Sequence, residues 1–456
     1  MSESSSSPAS SPSTDGLSFI LEDDSDDTEM LKSMVDDETE LKTIQLVMEW
    51  RQKTQANMAS SSSRRPKKKK RFIRRDREAA NDRLYRDYFA EESMYNEIHF
   101  RRRFRMRRHL FIRIVDGLSS RYDYFKQRYD GLRRQGLSPL TKCTAAMRML
   151  AYGIAADCVD EYLKIGGSTA LECMKNFCAG IVQTFGEEYL RKPTQADVDR
   201  LLAVAEARDF PGMLGSIDCM HWEWKNCPSG WKGEFAKGNY KVPTLILEAV
   251  ASYDLWIWHA FFGCPGSIND LQVLDRSPVF QELYEGRSPN CEYVVNGHKY
   301  NIGYYLSDGI YPRWATFVKT IRLPQGPKAK LFAERQESVR KDVERAFGVL
   351  QARFAIIRGP ARQLEKGELG MIMKACVILH NMIVEDERDS YGLAFDYEHV
   401  EGTTPEPNVQ LHHHPVYAAY LRKVVQVRNP EQHARLQSDL IEEIWNRQLA
   451  RQRSQP

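Results

Sequence analysis

The chain has 456 residues, 42% of them hydrophobic and 28% charged, with 65 Lys and Arg against 62 Asp and Glu; this is the composition of a soluble globular protein of about three units, tails included. Its longest apolar stretch, Val242 to Phe262, is interrupted by Glu248 and Asp254, short of the ~18 uninterrupted apolar residues of a membrane helix, and the N-terminus lacks the basic start and apolar run of a signal peptide. Nine cysteines with no C-x-x-C pair argue against a zinc finger or disulfide framework and fit reduced thiols in a cytosolic or nuclear protein.

Charge is spread unevenly. Residues 1–63 hold thirteen acids and four bases, whereas residues 64–77 hold ten bases and one acid. Residues 1–27, rich in Ser, Pro and acids, are expected to be disordered. Met30, Met34, Leu41, Ile44 and Met48 then recur at helical spacing. They form either a helix that docks on a partner, an export signal, or a marginal solvated helix. The basic cluster carrying Arg64, Arg65, Lys67, Lys68, Lys69, Lys70 and Arg71 reads as a nuclear localisation signal and is compatible with phosphate binding.

From Asp76 to Phe210 the chain reads helical. Phe100, Phe104, Phe111 and Val115 fit one apolar stripe, with Arg101, Arg102, Arg105 and Arg108 largely off it. Those arginines either cover a core with their stems or neutralise DNA phosphates. A helix over Thr141–Cys158 is followed by a segment broken at Gly166-Gly167, where Ser168 or Thr169 is placed to cap the next helix. That outline is a helix-turn-helix or simply two packed helices.

From Gly212 the pattern changes to strands: MLGSIDCMHW, then TLILEAVAS and LWIWHAFFG paired across Tyr253-Asp254, then a helix capped by Asn269 or Asp270. EYVV and KYNI flank Asn296-Gly297, a hairpin signal, and IGYYLSDG is a further apolar strand. One long amphipathic helix over Ala329–Phe354, a very apolar helix over Leu369–Glu385 and a terminal helix with Leu436, Leu440 and Ile444 in a stripe complete the chain. The succession predicts an α/β domain with a mixed sheet flanked by helices. His412, His413 and His414 read as an exposed loop rather than a metal site.

Two acids stand out on the strands. Asp218 interrupts an apolar strand and Asp308 ends another just before a glycine. Buried charge needs a partner, and sites form at the carboxyl ends of strands in α/β sheets. Glu344 lies at the edge of the helix face made by Val339, Val343, Ala346, Phe347 and Leu350, whereas Asp342 points about 200° away and Glu334 and Glu337 lie in earlier turns. Two strand aspartates and a helix glutamate suit two Mg²⁺ ions in phosphoryl transfer. Salt-bridged structural acids are the alternative on spacing alone.

The motifs GSIDCMHW, CPGSINDLQVL, YYLSDGIYP, DVERAFGVLQARF and VILHNMIVED, in this order, resemble those of PIF/Harbinger transposases, and their flanks resemble the plant Pong/Ping branch. The resemblance runs from about Arg101 to Glu385 and returns at the terminal helix. It implies an RNase H-like fold with a DDE metal triad of Asp218, Asp308 and Glu344, holding two Mg²⁺ ions that Mn²⁺ can replace. Cys219-Met220 stand where many relatives have Gly-Thr, and Gly309-Ile310 where many have Ser-Gly; neither removes a ligand. His221 and Asp270 match family positions. His221 holds a phosphate, orients Asp218 or makes a structural hydrogen bond, and Asp270 is a helix cap or a second-layer partner. His380-Asn381 is expected to tie helices together. The implied activity is nuclear cleavage at terminal inverted repeats and strand transfer into a TTA-like target. The implied partners are double-stranded DNA, a Myb-like accessory protein and a second copy of the chain or more. A recruited regulator without catalysis is the competing class. The resulting organisation is an acidic tail with docking helix and basic cluster (1–77), a helix-turn-helix-like DNA-binding domain (78–211), an RNase H-like catalytic domain (212–388), and a linker with C-terminal helices (389–456).

Overall fold

The computed structural model describes residues 75–129, 131, 133–236, 242–388 and 417–453. The acidic tail, the docking helix, the basic cluster through Arg71 and the three consecutive histidines lie outside these residues.

Helices α1 (Arg77–Tyr88), α2 (Glu97–Phe104) and α3 (Arg108–Arg121) open the described chain. The expected apolar stripe is present, but not on one helix. Arg105 takes a left-handed conformation (φ 64°) that ends α2, and α3 restarts at Arg108. Phe100 stacks on Phe104 within α2 at 4.2 Å, and the reversal brings Phe111 of α3 within 4.8 Å of Phe104. Helix α4 (Pro139–Tyr152) is capped by Ser138 and stopped by Gly153 at φ 62°, where a Cβ would meet the Ala355 backbone at 3.0 Å.

Helix α5 (Gly167–Tyr189) has Gly166 as its N-cap, with no side-chain cap bond, so neither Ser168 nor Thr169 caps it. Residues 153–166, with two short helical turns, separate it from α4. A turn of three residues ending in Gly166 does precede α5, but the helical element before it, Asp160–Leu163, is a single turn, so α4 and α5 are not joined directly by a glycine turn. Helix α5 is a core element: Cys173, Phe177, Cys178, Ile181 and Tyr189 are buried, and it packs on α4 and on α10 (Lys366–Glu387). Helix α6 (Gln195–Ala207), closed at its start by a Thr194–Asp197 capping box, leads into the sheet.

The sheet runs β3 (Ile257–Pro265), β2 (Thr244–Ala251), β1 (Met213–Glu223), β6 (Tyr304–Ser307), β7 (Phe317–Lys319). The first three strands are antiparallel neighbours, while β6 pairs parallel to β1 and β7 parallel to β6. The expected hairpin forms separately as β4 (Tyr293–Val295) and β5 (His298–Tyr300), with Asn296 at φ 49° and Gly297 at φ 77°. Strand β7 escapes sequence reading because three residues are too few to show alternation.

Alternation along β1 divides its side chains. Met220 and Trp222 join the core made with α5, α9 (Asp342–Arg353) and α10. Ile217 and Cys219 face the other layer, which includes α7 (Asp270–Arg276) and Val427 of α11 (Tyr417–Val427). Helix α8 (Gly326–Arg340) and α12 (Pro430–Arg453) cover β6 and β7, with Leu436, Leu440 and Ile444 buried as the stripe predicts. The expected single helix over Ala329–Phe354 is two, broken at Lys341 (φ −63°, ψ −2°).

The boundary read at residue 211/212 is not a gap in the packing. One hydrophobic core runs from Leu84 through the helices and β1–β3 to Val384. Helix α10 is long and apolar enough to span a membrane, yet it lies in that core. Asn381 ties three elements at its centre. Its Oδ1 accepts from the Ile257 N–H at 2.9 Å, and its Nδ2 donates to the Ile257 and Tyr189 carbonyls at 2.8 Å each. Asn381→Ala leaves three buried backbone groups unpaired, at ~1–3 kcal/mol each. We expect urea denaturation to show a loss of about 3 kcal/mol or more; a loss near zero would refute the tie.

Candidate active site

Asp218 and Asp308 are brought together by strand pairing. Ser216 pairs with Leu306 across the parallel β1–β6 ladder. Asp308 follows directly after β6, which ends at Ser307, and lies near enough to Asp218 for its charge to act on it. Ser216 Oγ, one alternation before Asp218, donates to the Val339 carbonyl of α8 at 3.4 Å. Gln336 of α8 fixes the end of β6, its Nε2 donating to the carbonyls of Ser307 (3.0 Å) and Val318 (3.2 Å). The strand end that carries Asp308 is thus pinned by a buried amide. Asp308 Oδ1 accepts from the Ile310 N–H at 2.8 Å, which closes the turn after β6.

Glu344, in the first turn of α9, reaches this region through a guanidinium. Arg340, the last residue of α8 and 9% exposed, contacts Asp218 Oδ2 at 3.3 Å, Glu337 Oε1 at 2.9 Å and Glu344 Oε1 at 2.8 Å. Three carboxylates converge on one cation. Sequence reading missed Arg340. Its signal was there: an arginine at the edge of the apolar face, four residues before Glu344 and three after Glu337. Asp342, on the opposite side, is buried and paired with Arg208 at 2.5 Å and with Arg345, so it takes no part.

Burial pushes the Asp218 carboxyl up to about 6, with the charges of Asp270 and Asp308 adding to the effect; the Cys219 N–H and Arg340 oppose it. Asp270 is therefore electrostatically part of the site. The cap of α7 is Asn269, whose side chain accepts from the Gln272 N–H at 2.9 Å, so the cap role weighed for Asp270 falls to its neighbour. His221 alternates to the other side of β1 from Asp218 and its Nδ1 meets Thr244 Oγ1 of β2 at 3.0 Å. His380 and Asn381 are buried and tie α10 to the β2–β3 connection and to the start of β3.

A second feature absent from the sequence reading borders Asp308. Lys319 at the end of β7 is held below its usual basicity by burial and by Arg313 and Arg322, with Asp308 opposing them. Arg322 lies over Gly309, where an added Cβ would come within 2.9 Å of its Nε. Lys319 and Arg322 thus border the Asp308 turn, and Arg313 lies near enough to Lys319 to act on its charge. The four arginines near residue 105 sit elsewhere. Arg105 lies over the Tyr152 ring at 5.2 Å, and Arg108 lies over Phe100 at 5.6 Å and donates to Ser93 Oγ. Arg101 pairs with the buried Glu387 at 2.5 Å, and Arg102 is exposed.

Oxygen donors of this kind suit a hard divalent cation, and the burial and neighbouring acid charges that raise Asp218 are what such a cation would offset. As the side chains stand, no group of three or more His, Cys, Asp or Glu among the described residues is disposed to hold a metal ion. Glu344 and Asp218 turn to Arg340 instead.

Residues 187–391 match the family described as plant transposon protein, and residues 81–119 match a domain of unknown function. That central part of the chain is similar to plant transposon proteins. A protein named ALP1-like from Arabidopsis thaliana is 23% identical over 257 residues, 55% of this chain and 62% of its own length. A second Arabidopsis thaliana protein, named antagonist of like heterochromatin protein 1, is 22% identical over 265 residues, 55% of this chain and 63% of its own length. The match thus spans less than two thirds of either relative. No solved structure matches the chain.

Because the folded value for Asp218, about 6, lies above the unfolded 3.8, its ionisation opposes folding. The penalty is absent below pH 3.8, grows as pH rises towards 6 and is complete above it. The stability difference between Asp218→Asn and wild type should therefore shift in favour of the variant between pH 4 and pH 8, by at most about 3 kcal/mol. Thermal denaturation across that range checks it; a difference that stays flat contradicts the raised carboxyl.

Proposed function

We propose that the chain is a nuclear, metal-dependent DNA transposase of the PIF/Harbinger type, close to the plant Pong/Ping branch, with an RNase H-like catalytic domain. The observation that carries this is the meeting of Asp218 on β1 with Asp308, just past the end of the parallel neighbour β6 and near enough for its charge to act on Asp218, with Glu344 joined to Asp218 through Arg340. The strand order, with three antiparallel strands followed by two parallel ones, supports the RNase H-like reading. The relation to plant transposon proteins supports the activity.

In this reading Asp218, Asp308 and Glu344 hold two Mg²⁺ ions, which Mn²⁺ can replace. When bound, such ions supply Lewis acidity at the attacked phosphodiester. The chain's own residues do the rest. Asp218 acts ionised, which its raised carboxyl permits at neutral pH and not near pH 5. Glu344, with 41% of its side chain exposed, has room to leave Arg340. Gln336 keeps the Asp308 strand end in place. Lys319, Arg313 and Arg322 offer N–H groups to DNA phosphates beside Asp308. The substrate is the element's terminal inverted repeats, the target a TTA-like site. The partners are a Myb-like accessory protein and at least one further copy of the chain.

A second reading is a transposase-derived regulator that binds DNA or chromatin without cutting it. The relative named as an antagonist of like heterochromatin protein 1 favours it. An assay on element ends separates the two, run with Mg²⁺ or Mn²⁺ and with or without the accessory protein. We expect metal-dependent cutting and joining that Asp308→Ala lowers by more than the ~10–100-fold typical of changes one layer further out. DNA binding without cleavage, unchanged by the substitution, would establish the regulator.

A further inference from the structure

We infer that Arg340 is a displaceable internal counter-ion, which competes with divalent metal for Asp218 and Glu344. This rests on the metal-dependent reading of the same site. The guanidinium is almost fully buried, and it contacts oxygens of two of the three carboxylates assigned to the ions, at 3.3 and 2.8 Å. It keeps its charge at all accessible pH, so it cannot make room by losing a proton. A cation drawing on those same oxygens must therefore take them from Arg340.

Glu337 makes the exchange feasible. It pairs with Arg340 through both oxygens, Oε1 at 2.9 Å from Nη2 and Oε2 at 3.3 Å from Nε. A two-point bond of this geometry retains the guanidinium when the other two carboxylates turn away. The position also suits a cation: Arg340 ends the 15-residue helix α8, where the last carbonyls favour positive charge. Lys341 then breaks the helix, so Glu344 stands on a separate segment from Glu337. The same arrangement accounts for the carboxylates being turned to Arg340 rather than grouped as ligands.

The test is Mn²⁺ binding to the full chain, measured by calorimetry and by paramagnetic resonance of the free ion, for wild type, Arg340→Gln, Arg340→Lys and the double variant Asp308→Asn/Arg340→Gln. Arg340→Gln is expected to bind Mn²⁺ about tenfold more tightly or better, the scale of one charge-assisted hydrogen bond. Arg340→Lys, which keeps the charge but loses the planar fork, should fall between. The double variant should lose the gain. Without metal, Arg340→Gln should melt below wild type, and Mn²⁺ should raise its melting temperature by more. If wild type binds Mn²⁺ and Arg340→Gln binds it equally or less well, the inference fails while the metal site stands. If neither binds it, the metal reading and the inference fall together. Should Arg340→Gln not fold, Arg340→Lys decides: equal or weaker binding than wild type overturns the inference.

Discussion

A carboxylate taken out of water must find compensation, and the central part of this molecule is arranged around that constraint. Asp218 lies in the middle strand of the sheet, with Asp308 and Asp270 near enough for their charges to act on it. Water reaches it poorly, since only 22% of its side chain is exposed. What compensates is one amide N–H and one guanidinium. The raised carboxyl shows that they do so incompletely. Groups left in that condition cluster at functional sites, because a well-packed apolar residue would serve stability better.

The supporting structure keeps these charges from drifting apart. The parallel β1–β6 pairing sets the level of the two aspartates, and it forms only because the chain crosses from β3 through α7 and the β4–β5 hairpin before returning. Gln336 and Ser216 lock α8 to that ladder through backbone carbonyls. Arg340 therefore reaches Asp218 from a helix that is itself tied to both strands. On the far side, Asn381 and the shared core hold β3 against α5 and α10. A displacement of any one of these elements would alter the separation between carboxylates and guanidinium.

Much of this is visible in the residues. The strands β1, β2, β3 and β6 show as apolar runs, and Asp218 and Asp308 stand out because they interrupt or end such runs. The terminal stripe of Leu436, Leu440 and Ile444 was legible because a helix with one wet side must alternate. What could not be read depends on contacts distant in sequence or on local conformations with no strong signature. The turn at Arg105 uses a left-handed arginine, where glycine or asparagine would have announced it. The break at Lys341 has no proline or glycine. The role of Arg340 follows from its meeting Asp218, which is 122 residues away, and spacing along a helix does not report that. Asp270 was weighed as a cap because Asn269 and Asp270 are both good caps; only the backbone geometry separates them.

The two functional readings differ in what they ask of this charge balance. A regulator that only binds DNA needs a basic surface, such as Lys319, Arg313 and Arg322 provide, and gains nothing from crowded acids beside it, because carboxylates repel the phosphates those bases attract. A phosphoryl-transfer site needs both signs together: acids to hold cations and bases to hold the substrate backbone. Lys319 pairs with Ser307 at the end of β6, close enough to the following Asp308 to feel its charge. That mixture, rather than the relation to transposases by itself, is the physical reason to favour catalysis over simple DNA binding.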